Sequence, residues 1–169
     1  MHRGPQSVIA KKYRLLDQLG QGGMGQVWRA EHLLLRAEVA VKLMNPELGR
    51  SREGLSRFLR EAQAAAALRS PHVVQILDYG VDRGTPYFAM ELLDGESLRT
   101  RLRRVGRLNP KETSALFLQL GRAVSRAHDA GIIHRDLKPD NVFTVSSPCP
   151  CCHSKTLDLP SNGERADRR

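Results

Sequence analysis

The chain has 169 residues, 40% of them apolar and 27% charged, which suits one globular domain and excludes collagen-like, low-complexity and wholly disordered chains. Lysine and arginine outnumber aspartate and glutamate by 27 to 18, a net charge of +9 that is compatible with phosphorylated ligands, nucleic acid or anionic lipid. No run approaches about 18 consecutive apolar residues, the length of a membrane-spanning helix, and the Met1-His2-Arg3-Gly4-Pro5 start is no apolar signal segment. A cytoplasmic protein with no membrane segment in this chain is therefore expected.

In chain order, residues 1–12 read as an N-terminal extension, and a weakly alternating strand is predicted from Tyr13 to Leu19, stopping at Gly20. A glycine-rich turn leads into a second strand at Gln26-Val27-Trp28-Arg29-Ala30, so the two form a hairpin. Glu38 to Met44 is a third, strongly apolar strand interrupted only by Lys42. From Arg52 to Arg69 the residues Leu55, Phe58, Leu59, Ala62, Ala65, Ala66 and Leu68 recur at helical spacing. Two further strands are predicted over Val73–Asp78 and Tyr87–Leu93, joined through Gly84-Thr85-Pro86.

A helix from Ser97 to Val105, ended by Gly106, carries Arg99, Arg101, Arg103 and Arg104. The clearest helix follows. Asn109 supplies an N-cap oxygen, Pro110 takes the first helical position, and Glu112 completes a capping box. Leu116, Leu120, Ala123, Val124 and Ala127 form its apolar stripe and Gly131 ends it. After Thr144 the apolar periodicity vanishes, so residues 144–169 are expected to be an irregular tail. The fold class expected is α+β, a β-rich half followed by a helical half.

Charge and cysteines add little. The arginine run reads as a solvated helix face, and aromatic residues make up only 5%, too few for the stacking surfaces of nucleic-acid readers. No nucleic-acid partner is expected. Cys149, Cys151 and Cys152 are too close together for one tetrahedral zinc ion, and their odd number is no disulfide framework.

Three constellations carry chemistry. In Gly20-Gln21-Gly22-Gly23-Met24-Gly25-Gln26-Val27 the glycines let backbone amides approach a polyphosphate without Cβ clashes. The loop runs from strand to strand, whereas a dinucleotide-binding loop would run from strand to helix. In Ala40-Val41-Lys42, a lysine in an apolar strand needs a partner or a route to water. Glu61, on the Arg52–Arg69 helix, is the carboxylate expected to pair with it. The third is His134-Arg135-Asp136-Leu137-Lys138-Pro139-Asp140-Asn141. Asp136 can accept or orient a hydroxyl proton, Asn141 can ligate Mg²⁺ through its amide oxygen, and Lys138 can reach a transferring phosphoryl group.

The ordered set G-x-G-x-x-G-x-V, A-V-K, a helix glutamate and H-R-D-x-x-x-x-N resembles the eukaryotic-like protein kinases. Gly-Gly-Met-Gly and Asp-Leu-Lys-Pro-Asp-Asn look like the bacterial serine/threonine (Hanks-type) branch. The resemblance covers about residues 13–143, with 13–93 as an N-terminal antiparallel β lobe holding helix C and 94–143 as the start of a helical C-terminal lobe. It implies a serine/threonine protein kinase that uses ATP and Mg²⁺ and acts on protein hydroxyls. Leu19, Val27 and Ala40 would cover adenine from one side and Phe143 from the other. Met90 would be the gatekeeper, and Glu91 and Leu93 would offer hinge backbone groups. Lys42, paired to Glu61, would hold the α- and β-phosphates, and Asp136 would be the catalytic base.

The sequence departs from the family after Thr144. An Asp-Phe-Gly, an activation loop and an Ala-Pro-Glu are missing. Lys155-Thr156-Leu157-Asp158-Leu159-Pro160 lies roughly where Asp-Phe-Gly belongs, with Asp158 as the candidate second metal ligand, but Pro160 replaces a glycine whose backbone freedom the motif uses. A truncated or frame-shifted gene product of impaired activity is the expectation. The rival reading is a non-catalytic, pseudokinase-like module that binds ATP or a partner.

Overall fold

The computed structural model describes residues 4–22 and 25–145. They divide into two units: one takes the chain up to Ala66 together with Ile76–Leu92, and the other takes Ala67–Gln75 and the chain from Leu93 on.

The first unit is a six-stranded antiparallel sheet in the order β1-β2-β3-β4-β6-β5, formed by β1 (Val8–Ile9), β2 (Tyr13–Gly22), β3 (Gly25–His32), β4 (Ala37–Met44), β5 (Ile76–Asp82) and β6 (Thr85–Glu91). Two helices belong to the same stretch, the short α1 (Glu47–Arg50) and the long α2 (Arg52–Ala67). Alternation sorts the side chains into two faces. Tyr13, Leu15, Trp28, Ala30, Val39, Val41, Leu43, Tyr87 and Ala89 build one buried cluster, which Ile9 of β1 completes. The opposite face carries Lys42 opposite Val27 and Phe88, and Ala40 opposite Met90. Helix α2 covers this second face: Phe58 is 1% exposed and its ring lies 4.9 Å from that of Phe88. Ala62 and Ala65 let the helix approach closely, since a larger side chain would hold it off.

Side chains tie β2 to β5 across the curled sheet. The Asp78 carboxylate on β5 accepts from Lys12 Nζ at 2.8 Å, from the Tyr13 hydroxyl at 3.0 Å and more weakly from the Tyr87 hydroxyl at 3.4 Å. The β5–β6 turn is the two-residue Arg83–Gly84, with φ of 49° and 78°. Two positive φ values match the right-handed twist of the flanking strands.

The second unit is built around α3 (Leu98–Val105) and α4 (Pro110–Asp129), with a two-stranded ribbon of β7 (Gly95–Ser97) and β8 (Phe143–Val145). Ser97 caps α3 by accepting from Thr100 N at 3.1 Å, and Gly106 ends it at φ 76°. The capping box of α4 is complete: Glu112 N donates to Asn109 Oδ1 at 2.9 Å, and Asn109 N donates to Glu112 Oε2 at 3.0 Å. The unit's small core joins Leu68, Val73, Ala123 and Ala127, flanked by the half-buried Leu120, Val124 and Ile132.

Several expectations are corrected. The first strand runs past Gly20 to Gly22, because the hairpin pairing continues through Gly20↔Val27 and Gln21↔Gln26. The strand placed at Val73–Asp78 begins only at Ile76; Val73 and Val74 are buried loop residues. Thr85 and Pro86 belong to β6, which ends at Glu91 before Leu93. The α2 helix stops at Ala67, and Leu59, assigned to its apolar stripe, is 37% exposed. Thr144 is not yet irregular: it lies in β8, which pairs with β7. Among the described residues no helix is long and apolar enough to cross a membrane.

Candidate active site

The nucleotide-side candidates of the first unit fall on the hairpin and on one sheet face. Gly20, Gln21 and Gly22 close β2, and Gly25, Gln26 and Val27 open β3; Gly23 and Met24 lie outside the described residues. The glycines differ in what they meet. At Gly25, φ is 139° and a Cβ would come within 2.0 Å of the Leu43 carbonyl oxygen, so the β3–β4 pairing itself demands glycine there. At Gly20 and Gly22 a Cβ would meet nothing within 4 Å. Packing does not require glycine at those two positions, and the backbone beside them is open to a bulky ligand. Leu19 is 53% exposed, an apolar side chain left about half open to solvent.

Lys42, Ala40, Val27 and Met90 share the sheet face that α2 covers, as their opposite pairings require. Lys42 is half-buried, while Ala40 and Met90 are buried. Glu61 lies on α2 three residues beyond Phe58 and is half-buried. Glu91 pairs with Val39 at the end of β6.

The remaining candidates belong to the second unit. Gly131, at φ 72°, turns the chain out of α4, and Ile132 N donates back to Ala127 O at 2.8 Å. His134 is buried at 5% exposure, and Asp136 N donates to its carbonyl at 2.8 Å and lies 3.3 Å from its Nδ1. Arg135 between them takes φ 58°, a left-handed conformation that this tight turn imposes on a non-glycine residue. Pro139–Asn141 form one turn of 3-10 helix, closed by Asn141 N donating to Lys138 O at 2.9 Å.

That turn brings two predicted residues, Lys138 and Asn141, onto the carboxylate of a third, Asp136. Lys138 Nζ lies 2.7 Å from Asp136 Oδ2. Asn141 Nδ2 donates to the same oxygen at 3.1 Å and to the Asp136 backbone carbonyl at 2.8 Å. The Lys138 hydrogen bond, aided by the Asn141 amide, holds the Asp136 carboxyl below its ordinary value. Both amide hydrogens of Asn141 are thus turned to Asp136, which leaves its Oδ1 as an acceptor that a hard cation could use.

The loop is anchored from outside. Arg99 Nε donates to Asp140 Oδ1 at 2.5 Å, holding that carboxyl low as well, and Leu98 N donates to Val142 O at 2.7 Å. Sequence reasoning missed both ties. Opposite charges on an arginine-rich helix and in the catalytic string were the available signal for the first; a backbone bond leaves none. Leu93 and Phe143 are half-buried in this unit. Asp158 lies outside the described residues.

With these arrangements in view, the comparisons with known proteins are consistent. The protein kinase domain family matches residues 13–151. The chain is 40% identical over 135 residues to serine/threonine-protein kinase PknD of Mycobacterium tuberculosis, an alignment covering 80% of this chain and 20% of that protein. It is 42% identical over 131 residues to PknH of Mycobacterium bovis, covering 78% and 22% respectively. The crystal structure of the Mycobacterium tuberculosis PknI kinase domain superposes with a TM-score of 0.78 at 29% identity, covering 86% of this chain and 59% of that one. The chain belongs to the protein kinase family, in its bacterial serine/threonine branch, and has the α+β kinase fold. It spans about a fifth of the length of PknD and PknH.

Proposed function

We propose that this protein transfers the γ-phosphoryl group of ATP to serine or threonine hydroxyls of proteins, with 13–143 as its kinase domain, 13–93 forming the N-lobe. The observation that carries the reading is the Asp136 carboxylate held by Lys138 and Asn141 in an open loop. Asp136, kept ionised by those neighbours, would accept or orient the proton of the acceptor hydroxyl. Lys138, at 2.7 Å from it, is near enough to meet the charge of the group in transfer. Asn141 Oδ1 would hold Mg²⁺, whose charge neutralises the phosphates when it is bound. Asp158 is the proposed second ligand.

The nucleotide would use the first unit's candidates together with Leu93 and Phe143. Gly20 to Val27 would lie over the phosphates, and the open backbone at Gly20 and Gly22 supports that use. Lys42, paired with Glu61, would bind the α- and β-phosphates. Leu19, Val27, Ala40, Met90 and Phe143 would enclose adenine, with backbone groups of Glu91 and Leu93 bonding its edge. Because the phosphoryl transition state is loose, holding the parts in place supplies most of the catalysis.

The test is transfer of radiolabelled γ-phosphate from Mg·ATP to a generic acceptor protein by the full chain. Asp136→Asn is expected to lower the rate by roughly 10²–10⁴-fold, the usual span for removing a general base. Transfer unchanged in Asp136→Asn overturns the assignment. Nucleotide binding without transfer in the unaltered chain selects the non-catalytic reading instead.

A further inference from the structure

Among the described residues the two most exposed large apolar side chains are neighbours, Leu34 at 85% and Leu35 at 68%. They stand in the turn Leu33-Leu34-Leu35-Arg36 that joins β3 to β4. Hydrogen bonds fix this turn on three sides. Arg36 N donates to His32 O at 2.8 Å, Leu35 N donates to His32 Nδ1 at 3.3 Å, and Leu33 N donates to Lys12 O at 2.8 Å. The leucines are therefore held out in water by an ordered backbone, in a place where folding gains nothing from their burial.

The bond to Lys12 sets a second turn beside the first. Ala10 and Lys11, with φ of 51° and 59°, join β1 to β2, and Lys12 N donates back to Ile9 O at 2.9 Å. Lys11 is exposed on this turn. Around the two turns the described cations are Lys11, Lys12, Arg14 and Arg36, against two carboxylates. Glu31 is shared by Arg14 and Arg36, and Asp78 is taken by Lys12. Glu38, one strand pair further from the leucines, is taken by Arg29. This end of the sheet is thus an apolar tip with a net positive surround.

A protruding turn offers a protein partner little area to bury, but a bilayer needs no matched pocket. Apolar side chains enter its interface by about 5–10 Å, and cations at the same level meet anionic headgroups. Lysine and arginine suit that place because their stems are apolar and only their ends are charged. We infer that the β3–β4 turn docks on an anionic lipid surface, with Leu34 and Leu35 inserted into the interface and Lys11 and Arg36 meeting lipid phosphates. None of these residues is assigned above to nucleotide or phosphoryl transfer, so the inference stands apart from the proposed activity.

The test is co-sedimentation of the full chain with sucrose-loaded vesicles, of phosphatidylcholine alone or of phosphatidylcholine mixed with phosphatidylserine, beside a vesicle-free control. Partitioning onto the phosphatidylserine vesicles is expected, stronger by roughly fivefold or more than onto the neutral ones. The double substitution Leu34→Ser with Leu35→Ser should weaken it by roughly tenfold or more, and Lys11→Glu by roughly fivefold. All three side chains are exposed, so these variants are expected to fold, which a thermal scan checks; should the double variant unfold, Lys11→Glu carries the test. No partitioning, or equal partitioning onto both vesicles, overturns the inference. Partitioning that ignores the leucine substitutions also overturns it, because charge alone would then suffice. Sedimentation velocity adds one outcome: self-association abolished by the leucine substitutions, without vesicle binding, would assign the turn to a second copy of this chain and overturn the inference.

Discussion

The two units are held by different forces. The first is a six-stranded sheet whose apolar side chains meet from strands far apart in sequence, and even its polar tie, Lys12 and Tyr13 on Asp78, spans more than sixty positions. Among the described residues the second has four buried ones in its core cluster, two of them alanines, and leaves Phe117 and Leu118 of α4 exposed at 65% and 59%. Caps and ion pairs do much of its work: the Asn109–Glu112 box, Arg101 on Glu112 at 2.8 Å, Arg104 on Glu96, and Arg99 on Asp140. Burial is worth about 25 cal/mol per Å², whereas exposed ion pairs contribute about 0–1 kcal/mol each. Lys42 and the glycine hairpin thus rest on a scaffold stabilised by burial, and the catalytic loop on one stabilised by local polar contacts.

Substitutions can break that contrast in order of effect. Phe58→Ala removes the ring that seats α2 on Phe88 and is expected to destabilise the chain by about 3–5 kcal/mol in denaturant unfolding. A loss under about 1 kcal/mol would mean that burial does not govern the first unit. Gly25→Ala forces a Cβ onto the Leu43 carbonyl at an unfavourable φ and is expected to cost about 1–3 kcal/mol, where Gly20→Ala costs far less.

Asp78→Asn tests the polar tie. Burial alone would raise the Asp78 carboxyl, but hydrogen bonds from Lys12 and Tyr13 outweigh it and hold the group below its ordinary 3.8. A carboxyl depressed on folding stabilises the protein above its unfolded pKa, and that stability is lost as pH falls through the lower folded value. Unfolding measured across the acid range should therefore lose this contribution in the native chain and show no such step in Asp78→Asn. The same carboxylate pushes the Tyr87 hydroxyl, already raised by burial, up to about 12.

In the second unit Asn109→Ala is expected to cost about 0.5–2 kcal/mol, with faster hydrogen exchange confined to the first turn of α4. The smallest effect belongs to Arg99→Ala. The pair with Asp140 is nearly half exposed on both sides, so global stability should barely change while exchange in residues 136–141 rises. A larger global loss would show that the ion pairs of this unit carry more than exposed pairs do elsewhere.

What the sequence disclosed follows the same division of local from distant. The α4 cap was legible because Asn109, Pro110 and Glu112 act on one another within a single turn. The glycine hairpin was legible for a similar reason, and the Asp136–Lys138–Asn141 cluster because one 3-10 turn folds six residues back on themselves. Val73 and Val74 were misread as the start of a strand: Val73 packs on Ala123 and Ala127 of a helix, and the strand begins only at Ile76. The β7–β8 ribbon joins two three-residue strands 48 positions apart, as in Glu96↔Thr144, too short for alternation to register. The knot on Asp78 was invisible because it needs the curl of a whole sheet to bring β2 and β5 together.

The most direct test of the account is thermal unfolding of the full chain with and without Mg·ATP, beside Lys42→Ala. A rise in melting temperature on adding nucleotide, abolished in Lys42→Ala, is the predicted result. No rise in the unaltered chain, or an equal rise in the variant, would contradict the assignment of Lys42 and the glycine hairpin to nucleotide binding.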